Sequence, residues 1–212
     1  GNVLNDFIES GFTKVVRLKE IFRQGKESMI VVNAHKINKG EMPKLNEKGT
    51  DFFFIRNDIQ EGILNTIIDL INTRLPKFNS NWDKLKSIQV LVPMKKGVLG
   101  VTNLNERIQN VLNPKAPYKK EKEFRSMVFR EGDKVMQIKN NYSLKWTRIA
   151  GKGEHEGLGV FNGDMGFIET IDEESRTVTV VFDDERRIVY DNVYIEELEL
   201  AYAITIHKSQ GS

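Results

Sequence analysis

"IQVLVPMKKGVLGVTNLNERIQNVLNP", Ile88 to Pro114, decides how the rest of the chain is read. Ile88 to Met94 is an aliphatic run bounded by polar residues, the composition of a strand buried on both faces. A loop with Lys95, Lys96, Gly97 and Gly100 follows, and from about Asn103 "NLNERIQNVLN" places apolar residues at helical spacing. A strand leading through a glycine loop into a helix is half of a βαβ unit, and repeated units of this kind build a parallel sheet.

The same alternation extends toward the N-terminus. "TKVVRL" (Thr13 to Leu18) predicts a short strand, "ESMIVVNAHKIN" a helix with Gly40 as its C-terminal cap, and "DFFFI" (Asp51 to Ile55) a buried strand. "IQEGILNTIIDLINTRL" predicts an amphipathic helix ending before Pro76. Beyond Pro114 the pattern changes. "APYKKEKEFR" reads as a charged connector, and then "DKVMQIK", "MGFIETID", "TVTVVFDD" and "RRIVYD" alternate with period two, with Asp183, Asp184 and Glu185 at a hairpin tip. These strands predict a small all-β barrel. Leu198 to Ser212 starts apolar and is expected to return to the α/β part, which makes the barrel an insertion. The expected division is 1–118, 119–197 and 198–212.

Composition narrows the function classes. The 212 residues are 39% hydrophobic and 29% charged, ordinary for a globular protein, and 32 basic against 30 acidic residues leave a net charge of only +2. An anionic partner must therefore be argued from local clusters. Cysteine is absent, and His35, His155 and His207 are far apart in sequence, so neither disulfides nor a zinc site is expected. No apolar run approaches the roughly 20 residues of a membrane span. With no signal peptide pattern either, the expected location is the cytoplasm.

Three stretches carry groups suited to chemistry. In "IFRQGKES" (Ile21 to Ser28), Arg23 follows an apolar pair ahead of a helix, where its guanidinium fork suits an anion; a surface salt bridge is the alternative. The Lys95 to Gly100 loop follows the carboxyl end of a strand, the usual ligand edge of an open α/β sheet. It lacks the G-x-x-x-x-G-K-[ST] spacing of a phosphate loop, which occurs nowhere in the chain, and it reads equally as a flexible turn. "AYAITIHKSQGS" (Ala201 to Ser212) gathers Thr205, His207, Lys208, Ser209 and Gln210, with no acidic residue to complete a nucleophilic triad. Hydroxyls, an amide and an imidazole suit contacts to a phosphate-sugar backbone. A helix-capping turn is the alternative.

Taken in order, "IFRQ", "LVPMKKGVLGVTNLNERIQNVLNP", "GDKVMQIKNNY", "VFNGDMGFI" and "ELAYAITIHKSQGS" resemble the RecD-type DNA helicases of superfamily 1, the group of the exodeoxyribonuclease V alpha subunit and its stand-alone relatives. "IFRQ" resembles helicase motif IV and "AITIHKSQGS" motif V. The resemblance implies an incomplete second RecA-like motor domain of the P-loop NTPase type, with a parallel sheet and an inserted Src-homology-3-like barrel. It also implies a piece of a longer protein without the Walker A lysine, the Walker B carboxylates or the motif VI arginine. In the parent, ATP with Mg²⁺ drives movement along single-stranded DNA in the 5′ to 3′ direction, in recombination and repair. Arg23 is the implied catalytic residue at the γ-phosphate, with Gln24 beside it. Thr205, His207, Lys208, Ser209 and Gln210 are the implied DNA grip, followed by Lys95, Lys96, Gly97, Asn103 and Asn105. Implied partners are single-stranded DNA, the first motor domain of the same chain and nuclease-complex subunits, with no membrane. A binding module built on the barrel is the competing reading: exposure of Tyr142, Trp146 or Phe161 favours base stacking, and burial of all three a core role. A purely structural domain predicts no DNA binding at low salt.

Overall fold

The computed structural model describes residues 2–16, 28–149 and 155–210. The chain divides into two units, Gly1–Arg56 and Asn57–Ser212. Arg23 and Gln24 lie outside the described residues.

In the first unit, α1 spans Val3–Glu9 and α2 Met29–Asn38. The expected helix forms, and Gly40 follows its last turn with φ +75°, a backbone conformation that a side chain disfavours. The start of α2 is capped from a distance. Asp51 accepts the Met29 and Ile30 N–H groups at 2.7 and 3.3 Å and the Ser28 hydroxyl at 2.5 Å. These bonds, that from Ser28 foremost, hold the Asp51 carboxyl below the usual carboxylate range. The strand expected over Asp51 to Ile55 is not formed, and Phe53 is 63% exposed. Asp51 is taken up by the helix, and the Phe54 N–H donates to the Asn46 side chain at 2.9 Å. Thr13 to Val16 is likewise irregular, and the remainder of that expected strand lies outside the described residues.

The second unit begins with α3 (Gln60–Asp69), which runs through a π-helical turn (Leu70–Arg74) into α4 (Leu75–Phe78). The sequence predicts a stop before Pro76, but the helix passes through it. The wider turn re-registers the ladder, so Pro76 falls in the opening turn of α4, where a missing N–H costs nothing. Next come β1 (Val90–Val92) and α5 (Val101–Leu112), shorter than the sequence pattern at the strand and matching it at the helix.

The segment expected as a plain connector contains a hairpin, β2 (Glu121–Phe124) with β3 (Met127–Arg130). Its Lys and Glu residues hide it: Glu121 and Lys122 are half-buried and only Glu123 is exposed, so no apolar alternation shows in the sequence. Then follow β4 (Lys134–Gln137), β5 (Asn141–Arg148), β6 (Glu156–Val160), β7 (Met165–Asp172), β8 (Thr177–Phe182), β9 (Arg186–Tyr190) and β10 (Leu198–Leu200). They form one antiparallel sheet in the order β10-β4-β7-β8-β9-β5-β6. Strand β8 shows why: Val178, Val180 and Phe182 all point inward and are fully buried. Asp183 and Asp184, both left-handed, turn the chain into β9 at the expected tip.

After β10 the chain changes sheets. β11 (Ala203–Thr205) pairs in parallel with β1, with Val90 opposite Ala203 and Val92 opposite Thr205. A short helix, α6 (Ile206–Ser209), follows. One apolar core joins Leu64 and Ile71, Val92, Leu104 and Ile108 of α5, and the buried faces of β7 to β9.

Candidate nucleic-acid interface

Because β1 and β11 are parallel neighbours, the segments that follow them leave the same edge of the same small sheet. One is the Lys95 to Gly100 loop and the other is α6. The sheet thus brings together two stretches that are about a hundred residues apart in sequence.

In the first stretch Lys95, Lys96 and Gly97 are exposed, and neither lysine makes an ion pair among the described residues. The loop folds back onto α5: the N–H groups of Val101 and Thr102 donate to the carbonyls of Met94 and Lys95 at 3.1 and 3.3 Å. A Cβ on Gly100 would stand 2.5 Å from the Lys96 carbonyl carbon, so only glycine admits this return. These opening donors of α5 are spoken for, and an anion here meets lysine side chains rather than a cradle of backbone amides. Asn103 donates to the Val98 carbonyl at 2.7 Å and steadies the loop. Asn105 stands apart from this exposed group. It is 5% exposed and its amide is turned inward, to Leu200 and Ala203.

In the second stretch Thr205 caps α6, its hydroxyl oxygen accepting the Lys208 N–H at 3.3 Å, and the Ser209 hydroxyl donates to the Ile206 carbonyl at 2.7 Å. Both hydroxyls serve the short helix, while His207 and Gln210 are exposed. The Lys208 ammonium lies 2.5 Å from a Glu199 carboxylate oxygen.

Lys95, Thr205 and Lys208 also line a cavity of about 520 Å³ between α5, the β2–β3 hairpin and the β10–α6 segment. Its charges are largely matched. Glu121 sits 2.7 Å from both Lys115 and Arg130, and their hydrogen bonds hold its carboxyl below the usual range.

Behind this edge lies a buried carboxylate that the sequence pattern does not disclose. Asp133 is fully buried and accepts from Gln109 at 2.6 Å, Asn113 at 2.7 Å, the Arg130 N–H at 2.6 Å and the Tyr202 hydroxyl at 2.8 Å. Burial raises its pKa against the pull of these four donors, and burial also pushes the Tyr202 hydroxyl up. "GDK" at 132–134 is the only local sign, a turn with an acid in it; the partners come from four separate places in the sequence.

On the antiparallel sheet Tyr142 and Phe161 are 70% and 43% exposed and meet edge to face, ring centres 5.7 Å apart. Trp146 is half-buried against the core, and Gly157 makes room for its ring.

Comparison with known proteins shows what the chain is similar to. The model of the ATP-dependent RecD-like DNA helicase SH3 domain matches residues 104–182. The ATP-dependent RecD2 DNA helicase of Deinococcus radiodurans is 28% identical over 197 residues, 93% of this chain. Over most of its length the chain is similar to a RecD-type DNA helicase. An uncharacterized protein of Methanocaldococcus jannaschii is 38% identical over 141 residues, 59% of the chain. The chain spans 23% of the length of the Deinococcus protein and 11% of the Methanocaldococcus protein. The family match runs from the first turn of α5 to the end of β8, and so takes in Asn105, Gln109, Asn113 and Asp133.

Proposed function

We propose that the chain supplies the second, RecA-like motor domain of an ATP-dependent 5′ to 3′ DNA helicase, with the barrel of 119–197 inserted into it and 198–212 returning to the motor domain. One observation carries the reading: the parallel register of β1 and β11 puts the Lys95 loop and α6 side by side at the carboxyl edge of the sheet. Ligands of open α/β folds bind at that edge. Lys95, Lys96 and Gly97, with His207, Ser209 and Gln210, then meet the backbone of a single strand; Thr205, Lys208 and Asn103 shape the edge and touch the strand from its margin. Phosphate and sugar contacts of this kind position without reading bases.

ATP belongs to the cleft against the first motor domain. The described residues form no phosphate site of their own, since Asp51 occupies the start of α2 and the Lys95 loop that of α5. Arg23, with Gln24, supplies from this side the positive charge that phosphoryl transfer requires. The Mg²⁺ ligands come from the other domain.

The test is fluorescence anisotropy of this chain with labelled single strands of several sequences, over a salt series, beside an ATPase assay. Salt-dependent binding that is equal across sequences, with no ATP turnover, is expected. No binding at low salt removes the reading. The exposed Tyr142–Phe161 pair favours a second surface in which the barrel stacks bases, each worth roughly 1–3 kcal/mol. Under that reading Tyr142→Ala weakens binding more than Lys95→Ala does.

A further inference from the structure

Asn105 makes three hydrogen bonds to one stretch of chain. Its Nδ2 donates to the carbonyls of Leu200 and Ala203, each at 3.0 Å, and its Oδ1 accepts the Ala203 N–H at 2.8 Å. A side-chain amide that engages both the N–H and the C=O of one residue does what a neighbouring strand does. The crossover is held to α5 at a second point, for Gln109 and Asn113 fix Asp133, which takes the Tyr202 hydroxyl.

Pairing between β1 and β11 covers only three residues on each strand. So short a ladder specifies register weakly by itself. α5 supplies what the ladder lacks. Its first turn is tied to the Lys95 loop through Thr102, whose N–H and hydroxyl both donate to the Lys95 carbonyl at 3.3 Å. From the next turn Asn105 grips the residues directly ahead of Thr205.

We propose that Asn105 is a positioning residue for strand binding: it locks the β10–β11 crossover to α5, so that the Lys95–Asn103 loop and the Thr205–Gln210 segment meet one nucleic-acid strand as a single rigid surface. This rests on the reading of those two stretches as the strand-binding face. Asn105 itself touches no ligand, and an apolar residue of its size would fill the space without holding the crossover in register.

The experiment uses this chain, a labelled oligothymidylate and Asn105→Ala, at a temperature where circular dichroism shows the variant folded. Affinity should fall about tenfold, the equivalent of one or two hydrogen bonds to the strand drawn out of reach. The salt slope should drop by roughly 0.7 for each phosphate that the displaced segment no longer reaches. Hydrogen exchange should show faster opening of Ile204 to Ser209 with β8 unchanged. A purely structural role lowers the melting temperature alone, so a folded variant with wild-type affinity, slope and exchange overturns the proposal. Where Asn105→Ala does not fold, Tyr202→Phe removes only the hydroxyl tie to Asp133; smaller losses in the same direction support the lock, and none overturns it. If the wild-type chain binds no oligonucleotide, the strand reading fails, and the exchange result alone decides whether Asn105 positions this segment.

Discussion

The two units of this chain treat their apolar residues in opposite ways. In Gly1–Arg56 the only buried residue among those described is Asn33, whose amide brackets Lys44, while Phe7, Phe12 and Phe53 are exposed. In Asn57–Ser212 the antiparallel sheet and α5 bury Phe129, Val178, Val180, Phe182 and Ile188 completely. Local patterning is similar in both; "DFFFI" is as strand-like as "TVTVV". What differs is supply. β8 has a strand on each side within the same stretch of chain, whereas in Asp51 to Ile55 the Asn46 side chain takes the Phe54 N–H at 2.9 Å and Asp51 serves α2. An apolar run becomes a strand when neighbours take up its backbone donors and acceptors.

The sharpest way to break this comparison is a pair of matched truncations. Phe182→Ala should destabilise the second unit by about 3–5 kcal/mol, because a fully buried ring leaves a cavity. Phe53→Ala should stay within about 0.5 kcal/mol. Urea denaturation of both variants checks this, and equal losses would mean that Phe53 is core.

A smaller effect is expected at the buried carboxylate. Asp133→Ala strands four donors and should cost about 3 kcal/mol by the same measurement. A loss below about 1 kcal/mol would show that the network is dispensable.

Acid separates two carboxylates, one in each unit, by sign. The Asp51 pKa is lowered, so its cap is in place above pH 3.8 and is lost as pH falls through the depressed value. Asp133 is raised: the folded chain holds its proton more tightly than the unfolded chain. Its contribution is therefore full below pH 3.8 and declines as pH rises through the raised value. Carboxyl ¹³C titration should find Asp51 below and Asp133 above their common reference, and the reverse order would refute both assignments.

The smallest expected effect compares lysines. Lys95→Ala should flatten the salt dependence of strand binding by roughly 0.7. Lys208→Ala should change it less, since Glu199 already answers that charge. A larger change at Lys208 would show that the pair opens on binding.

Much of this is legible in the sequence. The order of strand, loop and helix from Ile88 to Asn113 is as read, with the strand cut to Val90–Val92, and so are α2 with its glycine stop and the β8–β9 hairpin with its acidic tip. Each is decided within a dozen residues, by periodicity and turn chemistry. The β2–β3 hairpin escapes because lysines and glutamates dominate its composition. Asn105 is expected among the exposed DNA-binding residues and lies inside; nothing in "LNERIQ" tells a surface amide from one that meets a strand almost a hundred residues later. Asp133 escapes for the same reason, with partners at 109, 113, 130 and 202.

The change of sheets between β10 and β11 has a mechanical meaning. Only Ala201 and Tyr202 lie between the two strands, and both are buried. Two residues span at most about 7 Å when fully extended, so this connection holds no slack. A displacement of the antiparallel sheet along β10 would meet little slack before it reached β11 and α6. A longer, looser joint would absorb such a stroke; this one behaves as a pushrod.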